Sequence, residues 1–240
     1  MKRLVWIFTG LSVVILLLSI NRLTSLTSSY LQPYEFLRWL DFNAMIPIPL
    51  ASIILYYILL REIIDGSTFV KTKAYTILFL LFISGVYLFG ASSGTHEVTN
   101  YLNTRFCERG ALRSQICNII SYNDDEFSHV VYYVGFVLMN ISLMVTEFNI
   151  PRERGMNKKD KMIVSANAIF IGFGIFANLA FEEIGVDLYF FGSMMFLALY
   201  LFSRRSWKIS QYPALFYFSL SYSLGVLGTM GYKLFAYTIQ

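Results

Sequence analysis

The chain reads as an all-α polytopic membrane protein, a seven-transmembrane-helix bundle in a single membrane domain. Three observations predict it. Hydrophobic residues make up 56% of the 240 positions and charged ones only 14%, against roughly 25% charged in an ordinary soluble domain. Aromatics reach 18%, with 22 Phe and 17 Tyr, a usage suited to lipid-facing and interfacial positions. Apolar runs of spanning length also recur along the whole sequence.

Crossing the hydrocarbon takes about 20 mostly apolar residues. Seven segments qualify, at approximately 4–20, 44–60, 74–92, 128–146, 162–180, 188–203 and 213–232. The first follows Lys2 and Arg3, as a signal peptide would. Its run is longer than an h-region and lacks a small-residue cleavage site, so a retained anchor helix is expected. The sixth is the shortest.

Loop charge sets the orientation. With the N-terminus inside, alternate loops carry 13 of the 19 Lys and Arg residues, from Lys2 and Arg3 to Arg204, Arg205 and Lys208. The positive-inside rule then predicts N-in, C-out, in a plasma (cytoplasmic) membrane. The acids run the other way, 10 outside and 5 inside. The basic balance is thus a topology signal. No basic helix interleaved with stacking aromatics suggests nucleic acid as a partner. Membrane lipid is the expected partner, and partner membrane subunits are the alternative.

Two outer loops are long. The first, 21–43, holds Tyr30, Tyr34, Phe36, Trp39 and Phe42, with Pro33 interrupting any helix. It reads as an interfacial segment. The second, 93–127, contains both cysteines, Cys107 and Cys117. A disulfide between them would staple the loop, and two free thiols are the alternative. No internal repeat is evident, which counts against an inverted-repeat transporter.

Both histidines, His96 and His129, fall where a span meets the outer face. Glu97, Asp124, Asp125, Glu126, Glu182, Glu183 and Asp187 gather at the same level. Ser92, His96 and Asn100 recur every four residues and share a helix face, with Glu97 and Tyr101 on the adjacent stripe. Gly90 and Gly94 leave room there for a close neighbour or a kink. Asp125 and Glu126 precede His129 by four and three residues, so a helix presents either carboxylate beside the imidazole. Glu-x-x-His is also a spacing used by di-iron bundles. Asn178 and Glu182 share a face of the fifth span.

If these helix ends adjoin, His96 and His129 with Glu182 or Glu183 form a candidate set for a divalent metal. Zinc would suit hydrolysis through an open water position. A carboxylate-richer set would suit iron or manganese. Asp125 or Glu126 would act as general base or orient a ligand, and Ser92 would hydrogen-bond substrate or water. The bland readings are a metal-free polar network, unrelated placement of the two imidazoles, and plain solvation of Asp124, Asp187 and Glu97. Asn140 and Asn167, deeper in their spans, read as interhelical hydrogen-bond glue. Lys233 lies too near the outer end of its span for a retinal Schiff base and reads as an ion partner of Glu182 or Glu183.

Ser92-x-x-x-His96 followed by Asp124-Asp125-Glu126 resembles the superfamily of alkaline ceramidases and adiponectin receptors. That resemblance implies seven helices and zinc held by three histidines. The family's last-helix His-x-x-x-His has no counterpart after His129, so a three-His site is not available. Tyr122, Asp125-x-x-x-His129, Gly135 and Glu147, then Glu182 and Glu183, resemble an uncharacterised bacterial inner-membrane family (YjdF-like) over residues 88–191. It implies a small helical bundle with no assigned catalytic residue.

The functional expectation is an enzyme, such as a metal-dependent hydrolase, acting on a lipid or amphiphile from an outer-interface His/carboxylate site. A non-catalytic subunit or assembly factor of a membrane complex is the rival reading. A proton-coupled transporter is the third.

Overall fold

The computed structural model describes residues 1–107, 114–153, 155–181 and 185–239. Their regular secondary structure is helical, with no strand among the described residues and one isolated antiparallel bridge, Tyr30 to Arg38. In chain order the α-helices are α1 (Lys2–Leu23), α2 (Trp39–Met45), α3 (Pro47–Ile64), α4 (Lys73–Leu102), α5 (Gln115–Tyr122), α6 (Ser128–Asn149), α7 (Lys158–Phe181), α8 (Asp187–Arg204) and α9 (Pro213–Ile239). Two π-helical turns extend this set: Asn103–Cys107 continues α4, and Asn123–Phe127 joins α5 to α6.

Among the described residues, six stretches are long and apolar enough to cross a membrane. They are Lys2–Leu23, Trp39–Ile64, Lys73–Cys107, Gln115–Asn149, Lys158–Phe181 and Pro213–Thr238. The predicted sixth span forms as α8, but with 18 residues and Asp187 and Arg204 in its end turns it is not among the six. Exposed apolar side chains such as Trp6, Tyr87 and Phe196 cover the outside of the bundle. Lipid is the solvent that makes such a surface stable.

Helix starts follow local chemistry. The Thr72 and Ser114 hydroxyls accept from the N–H of Tyr75 and Cys117, capping α4 and α5, and Pro47 opens α3 where a missing N–H costs nothing. At α9, the buried Glu147 carboxylate of α6 accepts from the N–H groups of Ala214 (3.0 Å) and Leu215 (2.6 Å). A carboxylate on two otherwise orphaned donors is a strong tertiary cap.

The helices pack through small residues. A Cβ added at Gly135 would lie 2.5 Å from Phe89 N and 2.8 Å from Gly85 O, so α4 and α6 meet backbone to backbone. Gly90 and Gly94, read as room for a close neighbour or a kink, have nothing within 4 Å of an added Cβ, so the close neighbour is not there. They sit beyond the crossing point, and Gly85 serves instead. Gly172 brings α7 close to α9 in the same way, with Leu224 Cβ at 2.9 Å and Ser221 O at 3.1 Å.

Polar residues fasten the apolar interior as expected. Asn140 Oδ1 accepts from Tyr222 Oη (2.9 Å) and Tyr56 Oη (3.3 Å), tying α6, α9 and α3. Asn167 accepts from Ser12 Oγ (2.7 Å) and donates to Thr9 Oγ1 (3.2 Å), tying α7 to α1. One end of the bundle is basic. There Arg152 reaches Glu62 (3.3 Å), and the Arg205 guanidinium donates to Phe148 C=O at 2.6 and 2.9 Å. The other end carries the Cys107–Cys117 disulfide.

Candidate functional site

The two helices that touch at Gly85 and Gly135 run on together to the disulfide end, and the polar side chains of that end meet across their seam. The Ser92 hydroxyl donates to Ser128 C=O at 2.5 Å. Ser92 is 2% exposed. One turn further, His96 Nδ1 lies 3.1 Å from Asp124 Oδ1, 3.3 Å from Asp124 C=O and 3.4 Å from Ser128 Oγ. Another turn on, Asn100 donates to Asp124 Oδ2 at 3.5 Å, as does Asn103. The four-residue spacing of Ser92, His96 and Asn100 thus does place them on one face.

His96 takes Asp124 as its carboxylate partner, while the charges of Asp124 and Asp125 both bear on His129. Asp125 and Glu126 are exposed, and Asp125 accepts from Ser121 Oγ at 2.9 Å. Asp124 is buried against His96 instead. The π-turn at Asn123–Phe127 is the physical reason. Its hydrogen bonds run i to i+5, so the residue beneath His129 is the one five before it, Asp124, and Asp125 and Glu126 rotate outward. The plain-solvation reading of Glu97, Asp124 and Asp187 gives way as well: each is 2–3% exposed.

All three groups near Nδ1 can accept a hydrogen bond, since Ser128 Oγ donates its own hydrogen to Asp124 C=O at 2.8 Å. Nδ1 therefore carries the hydrogen in neutral His96, and Nε2 keeps its lone pair. Nε2 lies 4.0 Å from Glu97 Oε1, and the side chain is 25% exposed. The His129 ring stands edge-on to that of His96, centroids 4.8 Å apart. Both histidines are thus brought together.

Glu97 is buried and ion-paired to Arg22, which enters from the end of α1. Its Oε2 has no hydrogen-bond partner among the described residues. Behind it, Arg38 binds Asp41 through two nitrogens at 2.7 and 2.8 Å. The Tyr101 hydroxyl and Arg105 both donate to Glu35 C=O, a carbonyl aimed by the left-handed backbone of Tyr34 and Glu35. Tyr30, Arg38, Tyr101, Thr104 and Arg105 line a cavity of about 30 Å³ beside this network.

Asp187, at the start of α8, is buried. Its Oδ1 accepts from the Leu188 N–H at 2.7 Å, its Oδ2 has no hydrogen-bond partner among the described residues, and the charge of Lys233 bears on it. Lys233 thus acts on Asp187. Glu182 and Glu183, its expected partners and the expected third metal ligands, lie outside the described residues. Among the described residues, no group of three or more His, Cys, Asp or Glu converges as a metal site would require.

Ser92 has its only hydroxyl donor committed inside the helix seam, so it clamps α4 to α6 where a substrate contact was expected. Sequence reasoning missed the roles of Asp124, Ser128, Asn103 and Arg22. A lone arginine at the end of the first span was the one visible signal among them. Comparison with protein-family models, with curated proteins and with solved structures returns no match.

Proposed function

We propose that the chain is a seven-span membrane protein, N-terminus cytoplasmic, whose His96–Asp124 unit performs acid–base chemistry on a lipid or amphiphile at the outer bilayer interface. The carrying observation is the surround of His96 Nδ1: three acceptors fix the tautomer, leaving a basic Nε2 on a partly exposed ring. An imidazole oriented by a carboxylate is the usual form of a general base and of a metal ligand. The topology is supported by the basic end of the bundle. It is supported too by the length of α8, whose 18 residues rise about 27 Å, close to the hydrocarbon thickness of about 30 Å.

His96 Nε2 and His129 would be the imidazole ligands of a divalent metal, with Glu182 or Glu183 as the third. The deciding experiment therefore has two readouts. Proteoliposomes of mixed phospholipids carrying wild type, His96→Ala or Asp125→Asn are incubated, and their lipids profiled by mass spectrometry. A product formed by wild type and Asp125→Asn, and formed roughly 10²–10⁴-fold more slowly by His96→Ala, supports the enzyme. Identical profiles for wild type and His96→Ala refute it and favour a subunit of a larger membrane complex. Elemental analysis of the same samples, with His96→Ala/His129→Ala beside them, separates metal-dependent from metal-free chemistry. The transporter reading draws little support, because Asn140 and Asn167 are engaged in separate helix interfaces.

A further inference from the structure

At the basic end, far along the bundle from His96, the turn between α8 and α9 borders a cleft of about 380 Å³ lined by Lys161, Trp207, Lys208, Ile209, Ser210 and Gln211. Its backbone is unusual. Ser206 and Trp207 both hold left-handed φ angles, 53° and 55°, uncommon for any residue but glycine and more so for one as bulky as tryptophan. Such backbone persists only where the surroundings over-determine it, and it clusters at ligand sites. Here the Trp207 N–H donates to Phe202 C=O at 3.2 Å and the Arg152 N–H to Gln211 C=O at 3.1 Å, while Arg205 grips Phe148 C=O. The result holds Trp207 against Phe202, ring centroids 5.0 Å apart, yet 52% exposed.

Arg152 and Arg205, near this cleft, are occupied by protein acceptors, but among the described residues its two lysines are not. Among the described residues, no ion pair involves Lys161 or Lys208. The surrounding segments 151–161 and 204–211 hold eight Lys and Arg against two acids, Glu153 and Asp160. A cleft with two uncommitted ammonium groups, a hydroxyl, a carboxamide and an interfacial indole is chemically suited to one group, a phosphate.

We propose that this cleft binds the phosphate of an anionic lipid headgroup. Lys161 and Lys208 supply the charge, Ser210 and Gln211 the hydrogen bonds, and Trp207 rests at headgroup level. Lysine serves phosphate as a compact point charge, tryptophan favours the membrane interface, and basic pockets between spans on the positive side take anionic headgroups. Free phosphate offers the same oxyanion, so the experiment separates the two sources.

The test uses the full chain in a Trp6→Phe/Trp39→Phe background, leaving Trp207 as the only tryptophan. The protein is placed in phosphatidylcholine nanodiscs with or without phosphatidylglycerol, and separately in detergent with inorganic phosphate. Trp207 emission and lipid retention in native mass spectrometry are recorded. Phosphatidylglycerol is expected to shift the emission and remain bound. Lys161→Gln/Lys208→Gln should weaken that binding roughly thirtyfold, as the loss of two lysines near an anionic surface implies. Lys161→Arg/Lys208→Arg should restore it, and Lys158→Gln/Lys159→Gln, with the same change in charge, should leave it intact. A shift given by inorganic phosphate and not by phosphatidylglycerol would reassign the source to free phosphate and overturn the lipid. Equal losses in both Gln pairs, or none in the first, would reduce the cleft to diffuse surface charge. Single Lys208→Gln, at an exposed position, supplies the same comparison if the double variant misfolds.

Discussion

Gly135→Ala is a one-methyl change whose consequence can be worked from the structure. The added carbon would sit 2.5 Å from Phe89 N, 2.8 Å from Gly85 O and 3.1 Å from Leu88 C, where ordinary contact begins at 3.4 Å. All three neighbours are backbone atoms of α4, so no side chain can swing aside. The helices must part by roughly an ångström in a densely packed bundle. Overpacking of this kind costs about 1–3 kcal/mol, and a chain of this size loses about 2–4 °C in Tm per kcal/mol. The expected fall is therefore roughly 2–12 °C. Gly90→Ala and Gly94→Ala are the controls, since their added carbons meet nothing within 4 Å. Each should be neutral or stabilising by up to about 1 kcal/mol from helix propensity. Thermal unfolding in one detergent, read by the loss of monodisperse protein, makes the comparison. A Gly135→Ala Tm at or above wild type would refute the backbone contact, and equal losses at all three positions would mean glycine acts through helix flexibility alone. The separation should also reach the site, because Ser92–Ser128 and His96–Asp124 span the same seam. Gly135→Ala should thus slow any His96-dependent turnover.

Three more expectations follow from packing and charge. Asn140→Leu strands the Tyr56 and Tyr222 hydroxyls and should cost about 1–2 kcal/mol; adding Tyr56→Phe/Tyr222→Phe should recover part of the lost Tm, and a further loss of the same size would contradict the shared network. Asp187 is buried with its Oδ2 unpartnered among the described residues, a cost to a charged carboxylate; Asp187→Asn should raise Tm at pH 7, and an unchanged or lower Tm would rule this out. Opening the ten-residue Cys107–Cys117 separation with Cys107→Ser/Cys117→Ser should cost about 3 kcal/mol of loop-closure stabilisation, and should make Tm indifferent to dithiothreitol.

Much of the scaffold is legible from one-dimensional pattern alone. Spanning length and apolar content located every long helix to within a few residues at most ends, because the bilayer demands about 20 apolar residues whatever the neighbours are. Pairing of Cys107 with Cys117, the glue roles of Asn140 and Asn167, and the shared face of Ser92, His96 and Asn100 also followed from spacing and from the cost of burying polar groups. Register was not legible. A π-turn within Asn123–Phe127 adds one residue to the turn, and no α-helical spacing rule foresees that it sends Asp124 inward and Asp125 and Glu126 outward. Which glycine lies at the crossing depends on where two helices are closest, so Gly85 and Gly135 were decided by the packing and Gly90 and Gly94 were not chosen. Arg22 reaches Glu97 across 75 positions of chain, and Trp207 and Lys161 come to line one cleft beside a turn held by Arg205. Contacts between residues so far apart in sequence exist only once helices pack, and the chemistry at both ends of this bundle is set by them.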